Sequence, residues 1–167
     1  MTQAQQGISI LEQRRIEAAI VKPIYEVLEK ALGVDMARTL IGSAITQAAR
    51  DAGRSFASAQ DGETNLLRFA DLFSLWQEGD AYEVEVLAQT NQEFGFNIHR
   101  CKYAEMYNDM GMGEIGHLLS CRRDGVFCEG YDPRIKLTRT QTLMEGASHC
   151  DFRFSYEAAA PVTGSAD

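Results

Sequence analysis

The order of residue patterns predicts an α+β fold: N-terminal helices, then an antiparallel sheet of about four strands with short helices inserted, the helices covering one sheet face. Apolar residues recur at helical spacing through the first 79 positions, and the period changes to two near residue 81. Two short links between alternating runs then have the composition of hairpin connections. The 167 residues fit one domain: 1–79 its helical part, 80–156 its sheet with inserted helices, and 157–167 a flexible tail.

Residues 8–32 read as a helix because Ile8, Leu11, Ile16, Ile20, Ile24, Val27, Leu28 and Leu32 follow its period. Pro23 predicts a kink or a break into two helices, and Gly33 suits the C-cap. Asp35 is the expected cap of a second helix over 36–57, whose Gly42, Ser43, Ala44, Ala48, Ala49 and Ala52 permit close approach by a neighbour. A third helix covers 64–78 and ends at Gly79. Tyr82, Val84 and Val86 then alternate with Glu83 and Glu85, and Phe94, Phe96 and Ile98 share one face of the next run. The link 89–92 makes these a hairpin. Short helices are expected over 101–111 and 113–124, a loop over 125–133, and strands over 135–143 and 149–157 joined by a second hairpin link, Met144–Ser148.

The net charge of −8 and pI near 4.9 disfavour nonspecific nucleic-acid binding, which needs a basic surface. No apolar run approaches the roughly 20 residues of a membrane span. The N-terminus lacks the basic and apolar regions of a signal peptide, so a cytoplasmic location is expected, with no membrane partner. The four cysteines, Cys101, Cys121, Cys128 and Cys150, are then expected as reduced thiols.

The stretch Glu145–Phe154, EGASHCDFRF, is the densest in reactive side chains. Strand alternation splits it. Cys150 joins Phe152, Phe154 and Tyr156 on the core face, while His149, Asp151 and Arg153 face outward, where Asp151 and Arg153 can pair. In the preceding strand Ile135 and Leu137 define the core face, and Arg139 continues it. A buried arginine stays charged and must meet an anion. That anion is either a nearby carboxylate, Asp124 or Glu105, or the carboxylate of a substrate. Cys101 and Glu105 stand four apart at a strand-to-helix junction, where a helix N-terminus lowers a thiol pKa; Cys121 ends the next helix with Asp124 just beyond. These groups either converge at one end of the core or are unrelated buried thiols.

Zinc is the rival reading. There is no CxxC and no HExxH, the Cys121–Cys128 spacing is not that of a knuckle, and His117 is a weak candidate ligand, so no metal or other cofactor is expected. His99 and His149 are expected toward solvent. GxGxxG, GxxxxGK[ST] and GxSxG are absent.

The ordered elements "CxYxEMY", "LLSCxRD" and "LxRTQTxMxGAxHCDFR" closely resemble the L-2-amino-thiazoline-4-carboxylic acid hydrolase family over about residues 80–156. The resemblance implies a hydrolase opening a C–N bond in a small cyclic amidine- or amide-type acid. Cys101, Tyr103, Glu105, Cys121, Asp124, Arg139, Thr140, Gly146, Cys150, Asp151 and Arg153 match its pattern; Cys128 does not. A fainter similarity, in the helix pairs and the closing Gly-x-x-x-Cys-x-Phe, is to vinyl-reductase-type small-molecule-binding domains. Some of these carry a Cys-rich zinc site. Here Arg139 and Thr142 stand upstream of Cys150, and both are poor zinc ligands.

The expected catalytic set is Cys101, Cys150, Glu105, Asp124 and Cys121. The expected substrate-binding set is Arg139, Tyr103, Thr140, Arg153 and Asp151. Two routes are open: a Cys101 or Cys150 thiolate attacks, or a carboxylate activates water. The alternative function is a non-catalytic small-molecule-binding or sensory domain with the same pocket. The partner in either case is a small molecule, and the small-residue second helix is compatible with a homo-oligomer.

Overall fold

A computed structural model of the chain describes residues 7–157, so nearly all of the expected tail lies outside the described residues. Helix α1 (Ile10–Leu32) starts at Ser9, whose hydroxyl accepts the Glu12 N–H, and ends at Gly33, whose positive φ of 83° suits glycine. Pro23 does not break it. The proline and Ala19, whose carbonyl loses its donor, are both exposed, so solvent can meet the freed acceptor. Helix α2 (Val34–Ser58) starts directly at Gly33, with Asp35 in its first turn and not at the cap. Helix α3 (Leu66–Gln77) is capped by Asn65.

Strands β1 (Tyr82–Gln89) and β2 (Glu93–Cys101) form the first hairpin, and helix α4 (Lys102–Asp109) follows without a break. Helix α5 (Gly113–Leu119) stops at Ser120, and helix α6 (Cys121–Tyr131) begins there. Cys121 therefore opens a helix, and the loop expected over 125–133 is largely helical. Its Gly125 and Gly130 argue for a loop by propensity, but packing overrides them. A Cβ on Gly130 would stand 2.1 Å from the Arg50 carbonyl oxygen, and one on Gly53 2.2 Å from that of Phe127. The glycines let the backbones of α2 and α6 touch.

Strands β3 (Ile135–Thr138) and β4 (Cys150–Tyr156) complete an antiparallel sheet of order β1-β2-β4-β3. β3 is shorter than its hydrophobic pattern, and Arg139 lies beyond it. Asp151 accepts the Thr140 and Gln141 N–H groups, and Thr142 caps a 3-10 turn at Leu143–Glu145, so local side chains take the donors a ladder would use. β1 is also irregular. Bulges at Glu83/Val84 and Val86/Ala88 turn Val86 outward, 55% exposed, against the expected alternation.

Parity holds on the two central strands. Phe94, Phe96 and Ile98 oppose Phe154, Phe152 and Cys150 across β2 and β4, all buried. Phe96 stacks on Phe152 with centroids 4.9 Å apart. Helices α3 and α6 lie on this inner face, α2 packs on α6, and α1 on α2. Asp132 locks the α6–β3 turn: burial alone would raise its carboxyl, but hydrogen bonds from Arg134 outweigh this and hold it low. No helix among the described residues is long and apolar enough to cross a membrane.

Candidate active site

Between the inner sheet face and the helices lies a small cavity of about 60 Å³. One end is aromatic: Phe69, Phe73, Trp76, Phe96, Phe127, Phe152 and Phe154. The other end is polar: Arg14 from α1, Ser120, Arg123 and Asp124 from the α5–α6 junction, and Tyr103 from α4. Tyr103 is buried and donates to the Trp76 carbonyl at 3.3 Å.

Two charged groups adjoin the polar end. In the first, Arg139 Nη1 meets Asp124 Oδ2 at 2.5 Å while Nη2 donates to the Cys121 carbonyl at 2.9 Å. The guanidinium also lies 4.8 Å above the Phe152 ring. Arg139 thus finds its anion within the chain. Burial pushes the Asp124 carboxyl above its ordinary value; Arg139, then Arg14 and Arg123, pull it down without cancelling the rise. In the second group, Arg14 Nη1 donates to both Glu17 oxygens at 2.8 Å, and Arg123 Nη2 to Glu17 Oε2 at 3.0 Å. The Arg14 and Arg123 side chains are each only 13% exposed. Burial, then the charge of Arg14, lowers the pKa of Arg123. Three arginines here share two carboxylates.

Cys101, Cys121 and Cys150 surround the Asp124–Arg139 pair closely enough that each thiol feels the Asp124 charge. None is activated. Cys101 stands at the N-cap of α4 and Cys121 opens α6, but burial wins over the helix termini. It pushes Cys101 up to about 12 and also raises Cys121 and Cys150. The Cys150 sulfur accepts the Leu143 N–H at 3.2 Å. Cys128 is buried in the core with Phe127.

Several expected site residues lie elsewhere. Glu105 is on the surface, paired with Arg100 at 2.7 Å. Thr140 and Asp151 bond each other at 2.6 Å and pin the loop after β3. Arg153 lies on the outer sheet face, donating to the carbonyls of Phe96 and Phe152 and to Asn97, not to Asp151. His99 bonds Glu85 at 3.0 Å, and His149 packs near it. No three His, Cys, Asp or Glu side chains among the described residues come together as a metal site. Arg14, Glu17, Ser120 and Arg123 are the residues that sequence reasoning missed. Arg123 sits inside the "LLSCxRD" element, and Arg14 interrupts the apolar inner face of α1 between Leu11 and Ala18. A charge on a buried helical face was the available signal.

Among solved structures, the chain is similar to the phenol-responsive sensory domain of the transcription activator PoxR with phenol, with 13% identity, coverage of 83% of this chain and 73% of that one, and a TM-score of 0.47. It is also similar to a trafficking protein particle complex subunit 3 from Naegleria fowleri covalently bound to palmitic acid, at 10% identity, 87% and 96% coverage, and a TM-score of 0.51; that likeness is one of fold. No curated protein matches the sequence. Residues 13–154, which include Arg14, Arg123, Asp124 and Arg139, match one family over most of the chain: this protein belongs to the L-2-amino-thiazoline-4-carboxylic acid hydrolase family.

Proposed function

We propose that the protein opens a C–N bond in a small cyclic amidine- or amide-type acid, similar to L-2-amino-thiazoline-4-carboxylate, by addition of water. The observation that carries this is the charge at the polar end of the cavity. Arg14, Arg123 and Arg139 exceed Glu17 and Asp124 by one positive charge, on arginine side chains that are 13–15% exposed. One substrate carboxylate balances it. Arg14 and Arg123 hold that group, and the ring lies among Trp76, Phe96 and Phe152.

Asp124 is the acid–base group. Burial gives it a raised pKa, which suits proton exchange nearer neutrality, and Arg139 fixes its direction. The step balances simply. Water oxygen bonds to the ring carbon while Asp124 takes one of its protons and passes it to the ring nitrogen. In an amide this frees the amine and leaves the acid. In an amidine the proton of the added hydroxyl follows to the same nitrogen as the C–N bond breaks and the C=O forms. The raised pKa values of half-buried Cys101 and buried Cys150 favour this route over attack by either thiol.

The aromatic lining favours a second reading, a binding module that holds the same acid intact. Incubation with cyclic amidine, lactam and hydantoin-type acids, followed by chromatography, separates the two. Catalytic ring opening is the expected result. One intact ligand retained per chain, with no opened product, would contradict hydrolysis.

A further inference from the structure

Helix α1 is apolar on two opposite faces. Ala18 and Tyr25 are buried against the rest of the fold. On the other side Ile16, Ile20, Ile24 and Val27 are 50, 63, 48 and 67% exposed. Spacings of four, four and three keep them on one stripe, with exposed Pro23 at its centre. Lys22, Glu26, Glu29 and Lys30 all fall to one side of it, and Glu17 borders the other. The surface continues through the turn at Gly33: Leu32 and Val34 are 54 and 39% exposed, and Met36 and Leu40, one turn apart on α2, are 50 and 43% exposed. At these exposures the eight apolar residues together present roughly 700 Å², close to the ~800 Å² that each partner gives a standard interface and above what most monomers expose.

We infer that this face pairs with the same face of a second copy of the chain about a two-fold axis. A stripe without charge along its length is complementary to itself, which is what an isologous contact needs. Its area in a pair, roughly 1,400 Å², falls in the range of stable dimers. An anionic lipid surface is a poor occupant, because the chain carries a net charge of −8. The pairing also braces α1 along the edge next to which Arg14 and Glu17 meet Arg123.

Sedimentation equilibrium at tens of micromolar tests this. The wild-type protein runs at twice its 18.6 kDa chain mass. The double variant Ile20→Glu/Val27→Glu falls to the single-chain mass with its helical circular dichroism intact, since both side chains are exposed. Should that variant lose its helical signal, the single variant Ile24→Lys decides by the same criterion. Val86→Glu, at the exposed residue of edge strand β1, keeps the doubled mass. A wild-type protein at single-chain mass, a doubled mass that survives charges on α1, or dissociation by Val86→Glu would each overturn the inference.

Discussion

Arg139 and the pair Arg14–Arg123 stand at the same end of one cavity but differ in what they hold. Arg139 has a partner of its own, Asp124, at 2.5 Å and a backbone carbonyl beside it. Arg123 also donates to a backbone carbonyl, that of Leu119 at 2.7 Å, but it and Arg14 divide a single carboxylate, Glu17, between them. A buried arginine whose anion comes from the chain is held in place by it; buried arginines short of an anion are where the proposed function puts the substrate carboxylate. The pattern of the sheet strands drew attention to Arg139. The spare charge lies with helices α1 and α6, which no strand pattern reports.

The largest expected effect concerns the thiols beside Arg139. If its charge is taken up by Asp124, the thiols stay neutral. Cys101, held near 12, should react with iodoacetamide at pH 8 some ~10³-fold more slowly than a free cysteine. Mass-resolved peptide labelling measures this, and fast alkylation in the folded state would break the contrast. The same shift contributes to the loss of stability in alkali. The stabilisation from buried neutral thiols is complete below the ordinary value of 9.0 and is lost as pH rises toward the folded value of about 12. Next comes Asp124→Asn, which should lower kcat for ring opening by ~10²-fold or more while KM changes little. A normal kcat would remove Asp124 from the chemistry. The smallest effect sharpens the other side of the comparison. Glu17→Gln withdraws the internal competitor for Arg14 and Arg123, and should tighten binding of a cyclic acid about fivefold, or ~1 kcal/mol by titration calorimetry. Weaker binding would mean that Glu17 orients the arginines and does not occupy them.

The fold class, the strand order within each hairpin and the inward face of Phe94, Phe96, Ile98, Cys150, Phe152 and Phe154 were legible because strand alternation is a strict local rule. Helix α6 was not, because Gly125 and Gly130 read as a loop until Arg50 is seen pressed against Gly130. The site was half legible. Asp124, Arg139 and Tyr103 line the cavity or hold what lines it, whereas Glu105 shares a helix with Tyr103 but turns to solvent and Arg100. Arg14 and Arg123 are 109 positions apart in the sequence and meet only through Glu17. Such a meeting is tertiary and leaves no spacing to read.

The direct test of the charge argument is kcat/KM for a cyclic amidine carboxylate and for its neutral carboxamide, in the wild-type protein and in Arg123→Gln. The account predicts that the wild type prefers the acid by roughly tenfold to a hundredfold, the worth of a charge-assisted bond of about 1.5–3 kcal/mol, and that Arg123→Gln loses most of that preference through KM. Equal rates for acid and carboxamide in the wild type, or a preference untouched by Arg123→Gln, would contradict it.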